Sequence, residues 1–495
     1  MIALAQRRPY GARLGLAAGA GVLLASGQAP FGLWWLALPA LAGLVALVAG
    51  AASRRQAALI AVFGGAGHFA FALSWIIEPF LIDVESYGWM APFALVLMAF
   101  GLALFWGLAG WLAHVAPGWR RPVAFATALA AVELARGYVL TGFPWALIGH
   151  VWVGAWPAQV ASLVGPSGLT LLTTLAAALP VALRWRGLGI SAALLAAASG
   201  FGLWRLSLPE PAPAGPVLRL VQPNAEQRMK WDPDLAAMHF GRLLALSSEG
   251  PRPDLVIWPE TSVPYLLDRS PGILSEIAAA GRGAPVVVGI QRGEGWRFWN
   301  SLAVVAPDGR ITGLYDKHHL APFGEYVPMG DRMFDLFGIR AFAAQEGFGY
   351  SAGEGPQVLD LGPGLGKALP LICYEAVFPQ DLRTEERPDW ILQITNDAWF
   401  GTFNGPYQHL AQTRLRAIEM GLPLARVANT GVSALIDARG RVLAELPLGE
   451  AGYKDVALPG AFPATPFSRL GELPLLACLF ALCGLLFATR DPHRA

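Results

Sequence analysis

Charge is what this chain has least of. Only 14% of its 495 residues are Asp, Glu, Lys or Arg, against about 25% in an ordinary soluble domain. The shortage is uneven: residues 1–206 and 470–489 are nearly uncharged, while residues 207–469 have soluble composition. Lysine is rarer still, with Lys230, Lys317, Lys367 and Lys454 the only four among 36 basic residues. No cluster of basic residues interleaved with aromatics occurs, and the net charge is +1, which argues against a nucleic-acid partner. Cysteine is limited to Cys373, Cys478 and Cys483, so there is neither a disulfide framework nor a paired-cysteine metal motif. A phosphate-binding loop, an HExxH helix and a G-x-S-x-G elbow are also missing. No cofactor and no metal are expected.

Long apolar runs are abundant. They lie near 10–28, 32–50, 57–77, 88–115, 122–141, 158–183, 187–206 and 471–489. Each has the ~20 residues that a bilayer crossing needs, which predicts an eight-span helical bundle. The first run follows Arg7, Arg8 and Arg13 and reads as an anchor rather than a cleaved signal, because further spans follow it. Arg54 and Arg55, Arg120 and Arg121, Arg184 and Arg186, and Arg490 and Arg494 recur on the same side as those first arginines. The positive-inside rule then places both termini in the cytoplasm and the polar domain across the membrane, in the periplasm of a Gram-negative cell. The expected domains are 1–206 with spans one to seven, 207–469 as a periplasmic catalytic domain, and 470–495 with span eight and a cytoplasmic end. The segment 135–159 is broken by Gly, Pro and Trp. Its Trp145 and Trp152 suit a headgroup-level belt or the lining of a lipid entrance. Glu133 and Arg136, three apart, suit an ion pair.

After the proline-rich 207–216, the pattern changes to short apolar runs alternating with helices. VLRLVQPN, DLVIWPET, APVVVGI, KALPLICYEAV and DWILQITNDAW read as strands. Residues 232–248, 272–281 and 406–421 read as helices, and an Asp-Gly turn at Asp308 and Gly309 marks a hairpin over 300–317. Continuous apolar strands imply buried sheets, so the expected fold is α/β, with two packed sheets and helices outside.

Three residues stand at or just past strand ends: Glu260, Lys317 and Cys373. A thiol needs a base or a positive field to attack. Glu260 can take its proton, Lys317 can steady a tetrahedral oxyanion, and the N–H of Tyr374 is the natural second donor. WPE at 258–260, YDKHHLAPFGEYVP at 315–328 and CYEAVFP at 373–379 resemble the three signature segments of the nitrilase superfamily. With TNDAWFG at 395–401 and RVANTGVSALID at 426–437, nearly the whole chain resembles the bacterial apolipoprotein N-acyltransferase family. The resemblance implies an αββα sandwich with Glu260, Lys317 and Cys373 as the triad. It implies that Glu325 supports the triad, and that Tyr374 and Glu375 shape the pocket. It further implies a phospholipid acyl donor, a diacylglyceryl-modified lipoprotein acceptor, a Cys373 thioester and an inner-membrane location. A monomer is expected. His318 and His319 are expected at the rim.

A membrane-tethered amidase would share the triad but leave eight spans unexplained. A non-catalytic scaffold predicts a missing triad residue, and a transporter predicts more charge within the spans. Between the FGE segment and Cys373, residues 330–352 carry Met333, Phe334, Leu336, Phe337 and Phe342. They read as a mobile apolar arm for lipid access, hinged at glycines 338, 347 and 349, with Trp399 in the facing wall.

Overall fold

The computed structural model describes residues 9–211, 215–227, 232–269, 271–328 and 349–488. It divides into two compact units, Met1–Leu208 with Ala464–Ala495, and Pro209–Pro463.

The first unit is helical and apolar. Val84–Ala113, Trp156–Leu183 and Trp185–Ser207 are long and apolar enough to cross a membrane. A fourth crossing results if Arg54–Ala72 and Ser74–Leu81, bent by 48°, are one broken span. Tyr10–Ala25, Trp34–Ala49 and Leu473–Leu486 are apolar but shorter. Arg120–Arg136, at 17 residues, stops well before the expected end at 141. Helices here approach closely through glycine: a Cβ on Gly21 would lie 1.9 Å from the Gly64 carbonyl oxygen, and one on Gly67 2.1 Å from that of Ala18. Backbone-to-backbone contact of this kind is how helices associate where apolar burial drives nothing.

The chain after Arg136 is irregular, exposed over 138–141 and buried over 144–152, and the buried carbonyls need partners. Side chains from two helices and one loop supply them. Arg136 donates to the Phe143 carbonyl and, at 2.9 Å, to that of Trp145. His68 meets the Ala146 carbonyl at 2.9 Å and Gln28 donates to that of Leu147 at 3.2 Å. Arg136 is itself paired to Glu133 at 2.7 Å, and Trp106 donates to Glu133 at 2.9 Å. The expected ion pair is thus an anchor for the loop. The belt reading of Trp145 and Trp152 is corrected: both are buried, Trp145 against Trp75 and Trp152 with its indole N–H on Thr173. Their bulk fills the bundle around the irregular loop instead of meeting a headgroup layer.

The second unit is mixed α/β. Its strands are β1 (Val217–Gln222), β2 (Leu255–Ile257), β3 (Val286–Glu294), β4 (Arg297–Val305), β5 (Ile311–Asp316), β6 (Leu359–Asp360), β7 (Lys367–Ile372), β8 (Trp390–Thr395), β9 (Leu424–Ala428), β10 (Ser433–Ile436), β11 (Val442–Leu446) and β12 (Gly452–Ala457). They form two six-stranded sheets, ordered β12-β1-β2-β3-β4-β5 and β11-β10-β9-β8-β7-β6. The central strands β1, β2 and β3, and likewise β7, β8 and β9, run parallel. Flanking pairs are antiparallel. Helices Pro233–Ser248 and Pro271–Ala280 cover the first sheet through Phe240, Leu243 and Ile277. Helix Gly405–Met420 covers the second through Ala417 and Met420. Between the sheets, Gln222 on β1 accepts from the Ser433 hydroxyl on β10 at 2.5 Å. The outcome is a helix–sheet–sheet–helix arrangement in which parallel strands of both sheets end in loops that carry the site.

Candidate active site

Each sequence-chosen residue leaves a strand end. Glu260 follows β2 by three positions, Lys317 follows β5 directly, and Cys373 follows β7 directly. All three are buried, at 5%, 1% and 7% exposure. The turn bearing Glu260 lies on the backbone of β3, where a Cβ on Gly289 would stand 2.3 Å from the Pro259 oxygen and 2.6 Å from Glu260 Cα. Only glycine permits that approach.

Lys317 Nζ is 2.8 Å from Glu325 Oε2 and 3.8 Å from Glu260 Oε1. Asn300 on β4 bridges the same two carboxylates, its Nδ2 donating to Glu260 Oε1 at 2.7 Å and Glu325 Oε1 at 3.1 Å. Glu325 is further fixed by the Ala321 N–H at 2.8 Å. Burial alone would drive the Lys317 pKa down. The charges of Glu325 and Glu260 outweigh it and hold the ammonium above the ordinary lysine range.

Cys373 opens the short helix Cys373–Val377 with φ of +52°, a left-handed backbone that costs a non-glycine residue about 1–2 kcal/mol. It is one of eight such non-glycine positions among the described residues, and strain on the residue with the most reactive side chain suits a presented nucleophile. Burial pushes its thiol pKa up, the Glu260 charge pushes it further, and Lys317 opposes them. The resting thiol is therefore neutral. Glu375 ties the turn to the lysine loop. Its Oε2 accepts from the Ile372 N–H at 2.7 Å, and its Oε1 accepts from the Tyr315 hydroxyl at 2.8 Å and the His318 N–H at 2.8 Å. Tyr374 is buried edge-on against Phe378, ring centroids 4.9 Å apart.

This is a buried thiol, carboxylate and ammonium held by rigid strand ends, a set suited to covalent acyl transfer. Comparison with known proteins shows the family. A family profile described as carbon-nitrogen hydrolase matches residues 218–460. Another, described as the apolipoprotein N-acyltransferase N-terminal domain, matches residues 20–179. The apolipoprotein N-acyltransferase of Bradyrhizobium diazoefficiens is 39% identical, over 95% of this chain and 94% of its own length. That of Caulobacter vibrioides is 39% identical, over 98% and 95%. The chain belongs to the apolipoprotein N-acyltransferase family. It is a membrane-associated enzyme with a nitrilase-like catalytic unit, and its activity is fatty-acyl transfer to the N-terminal cysteine of lipoproteins by thioester chemistry.

Other residues of this acyltransferase site were not legible as functional. Asn300 sits mid-strand in β4, where nothing in FWNSLAVV distinguishes it. Behind Cys373 lies a fully buried set of Gln393, Asp397, His409 and Arg426. The motifs TNDAWFG and RVANTG contain two of these, but their sequence does not say which side chains turn inward. His318 and His319 both pair with Asp381, at 3.5 and 2.8 Å. Ligand atoms of the three lie within 4.8 Å of one another. Burial works against protonation of His318, but its bonds to Asp381 and Glu375 raise its pKa to about 9, so at neutral pH it is a charged bridge. Trp399 is half-buried in the short helix Asp397–Phe400. Phe334, Phe337 and Phe342 lie outside the described residues, as does most of the expected arm. Its end at Gly349 abuts the Glu325 carbonyl, and Tyr350 N–H donates to that carbonyl at 2.8 Å.

Proposed function

We propose that Cys373 is the nucleophile of a ping-pong acyl transfer from a membrane phospholipid to the α-amine of diacylglyceryl-cysteine. Cys373 Sγ attacks the acyl ester as Glu260 takes the thiol proton. The tetrahedral oxyanion is held by Lys317 Nζ and the Tyr374 N–H. Collapse expels the lysophospholipid, with Glu260 returning the proton to the leaving alkoxide, and leaves a thioester. The lipoprotein amine attacks that thioester, Glu260 accepts its proton, and the Cys373 thiol is regenerated. Glu325 and Asn300 hold Lys317 and Glu260 in place, and Glu375 locks the nucleophile's turn. The raised thiol pKa means that deprotonation accompanies attack.

The observation that carries this reading is the buried Glu260–Lys317–Glu325 cluster beside a cysteine at positive φ. The wider setting we propose is eight spans, including the shorter apolar helices, with both termini cytoplasmic and 207–469 periplasmic in the inner membrane of a Gram-negative cell. The enzyme acts as a monomer. Phe334, Phe337, Phe342 and Trp399 serve lipid access. The deciding experiment is intact-protein and peptide mass analysis after incubation with phospholipid. An acyl-sized adduct on Cys373, absent from Cys373→Ala, is expected. Turnover by Cys373→Ala at the wild-type rate would overturn the reading.

A further inference from the structure

The carbonyl oxygen of Cys373 is held from within the second sheet's helical layer. His409 Nε2 lies 3.1 Å from it and Gln393 Nε2 3.3 Å. Neither a carbonyl oxygen nor the ionised Asp397 carboxylate has a proton to give. Burial, then the Arg426 charge, lowers the His409 pKa, so the neutral ring carries its hydrogen on Nδ1 toward Asp397. Nε2 then accepts from Gln393 Nε2 at 3.3 Å, and the second Gln393 hydrogen goes to the Cys373 oxygen. The ring is oriented from behind: Nδ1 is 2.9 Å from Asp397 Oδ1, and Arg426 binds Asp397 Oδ2. Gln393 is fixed in turn by Arg426 at 2.8 Å and Thr413 at 2.9 Å, both donating to its Oε1. Every side chain of this set is fully buried. Such a network is expensive to maintain in a protein interior, and it converges on one peptide.

That peptide joins the nucleophile to Tyr374. It is planar and trans, so its oxygen and its N–H point in opposite directions. Fixing the oxygen against Gln393, which His409 orients in turn, fixes the N–H on the other side. Hydrogen bonds to a peptide oxygen also polarise its N–H, by about 10–30% per bond. Cys373 itself is held at φ of +52°, so one residue carries both the left-handed backbone and the anchored carbonyl.

We propose that His409 is a positioning residue for acyl transfer, acting with Gln393 through the Cys373–Tyr374 peptide to aim and strengthen the Tyr374 N–H as an oxyanion donor. This rests on the reading of Cys373 as nucleophile. It adds a function for a helix residue 36 positions downstream.

The test compares two reactions of the same thiol in the full-length enzyme in detergent micelles. Acylation by phospholipid forms an oxyanion; alkylation by iodoacetamide does not. His409→Phe keeps a planar ring and removes the nitrogen that orients Gln393, and His409→Gln restores a polar side chain able to hydrogen-bond the Gln393 amide. Single-turnover acylation of His409→Phe is expected to fall about 10- to 100-fold, with alkylation within about threefold of wild type and His409→Gln recovering most of the acylation. Gln393→Met removes the donor itself and should show the same split with at least as large a loss, and it decides the matter if His409→Phe does not accumulate. Equal losses in both reactions would reduce His409 to a structural role and overturn the proposal. Unchanged acylation in His409→Phe would do the same. A wild-type enzyme that takes no acyl group on Cys373 would remove the underlying nucleophile assignment, and is seen before any His409 variant is made.

Discussion

Replacing Lys317 by Met separates a structural cation from a catalytic one. The side chain is 1% exposed, with Glu325 at 2.8 Å and Glu260 at 3.8 Å. Removing the ammonium leaves two buried carboxylates sharing the Asn300 amide. Breaking a buried pair this way costs about 3–5 kcal/mol. For a domain of this size each kcal/mol moves the midpoint by about 2–4 °C, so the apparent Tm at one scan rate should drop by about 6–20 °C. Loss of an oxyanion donor costs a further ~10²–10³ in acylation rate. The double variant Lys317→Met/Glu325→Gln restores the charge balance around Glu260. It should recover most of the lost midpoint and none of the rate. Acylation measured by single-turnover mass analysis and unfolding by intrinsic fluorescence give the two readouts. If rate recovers along with stability in the double variant, Lys317 is only a counter-ion and its oxyanion role fails. An unchanged midpoint in the single variant would contradict the buried pair itself.

Glu260→Gln should slow acylation at least ~10²-fold by removing the base. It should also lower the thiol pKa, since burial and then the Glu260 charge raise it; a pH profile of iodoacetamide alkylation that moved upward would refute the electrostatics. Gly289→Ala places a Cβ 2.3 Å from the Pro259 oxygen, an overpacking worth about 1–3 kcal/mol; the displaced Glu260 turn should cut acylation more than phospholipid binding, and equal losses would refute it. His318, raised to about 9 from 6.5, contributes stability that is fully present below pH 6.5 and is lost as pH rises through 9. Midpoints should fall across that window, and the fall should flatten in His318→Gln; identical pH profiles would refute the bridge. Arg136→Leu strands Glu133 and the carbonyls of Phe143 and Trp145, at about 3–5 kcal/mol. Membrane-inserted yield should drop sharply, with Glu133→Leu/Arg136→Leu only partly restoring it.

Two signals made strands legible: β1, β2, β7 and β8 are mostly apolar, buried runs that fall within the expected segments, and the Asp308-Gly309 turn marked β4 and β5. The β3–β4 hairpin was not anticipated. Its turn is Gly295-Trp296, and the tryptophan, 82% exposed, reads in sequence as core material. β12 was missed because GYKDVA gains its meaning only from antiparallel pairing with β1, 236 positions away in the Arg219–Asp455 contact. The helix Gly405–Met420 was found, but its polar residues suggest a solvated face. Gln408, His409, Gln412, Thr413, Arg416 and Glu419 are all buried. Nothing in a periodic pattern distinguishes a side chain that faces water from one that faces another buried polar group. Glu260, Lys317 and Cys373 were legible because each follows a recognisable strand. Asn300, the amide between two carboxylates, sits inside one.

The unequal distances at Lys317 carry the last step of the argument. Under the proposed roles, the resting cluster holds two carboxylates, one ammonium and a neutral thiol. When Cys373 attacks, its proton goes to Glu260 and a negative charge appears on the substrate oxygen. The net charge of the site does not change; the charge moves from one side of Lys317 to another. A lysine bound tightly to Glu260 would resist that move, since protonating Glu260 would break its best contact. Here the tight partner is Glu325, at 2.8 Å, which takes no part in proton transfer, and Glu260 stands off at 3.8 Å. Glu325 therefore keeps the ammonium in place through the proposed cycle while Glu260, held less closely by it, exchanges the proton. Asn300 completes the division, donating at 2.7 Å to Glu260 Oε1 and at 3.1 Å to Glu325 Oε1 and so fixing both carboxylates. A site built this way needs little reorganisation as charge develops, which is where electrostatic catalysis gains most.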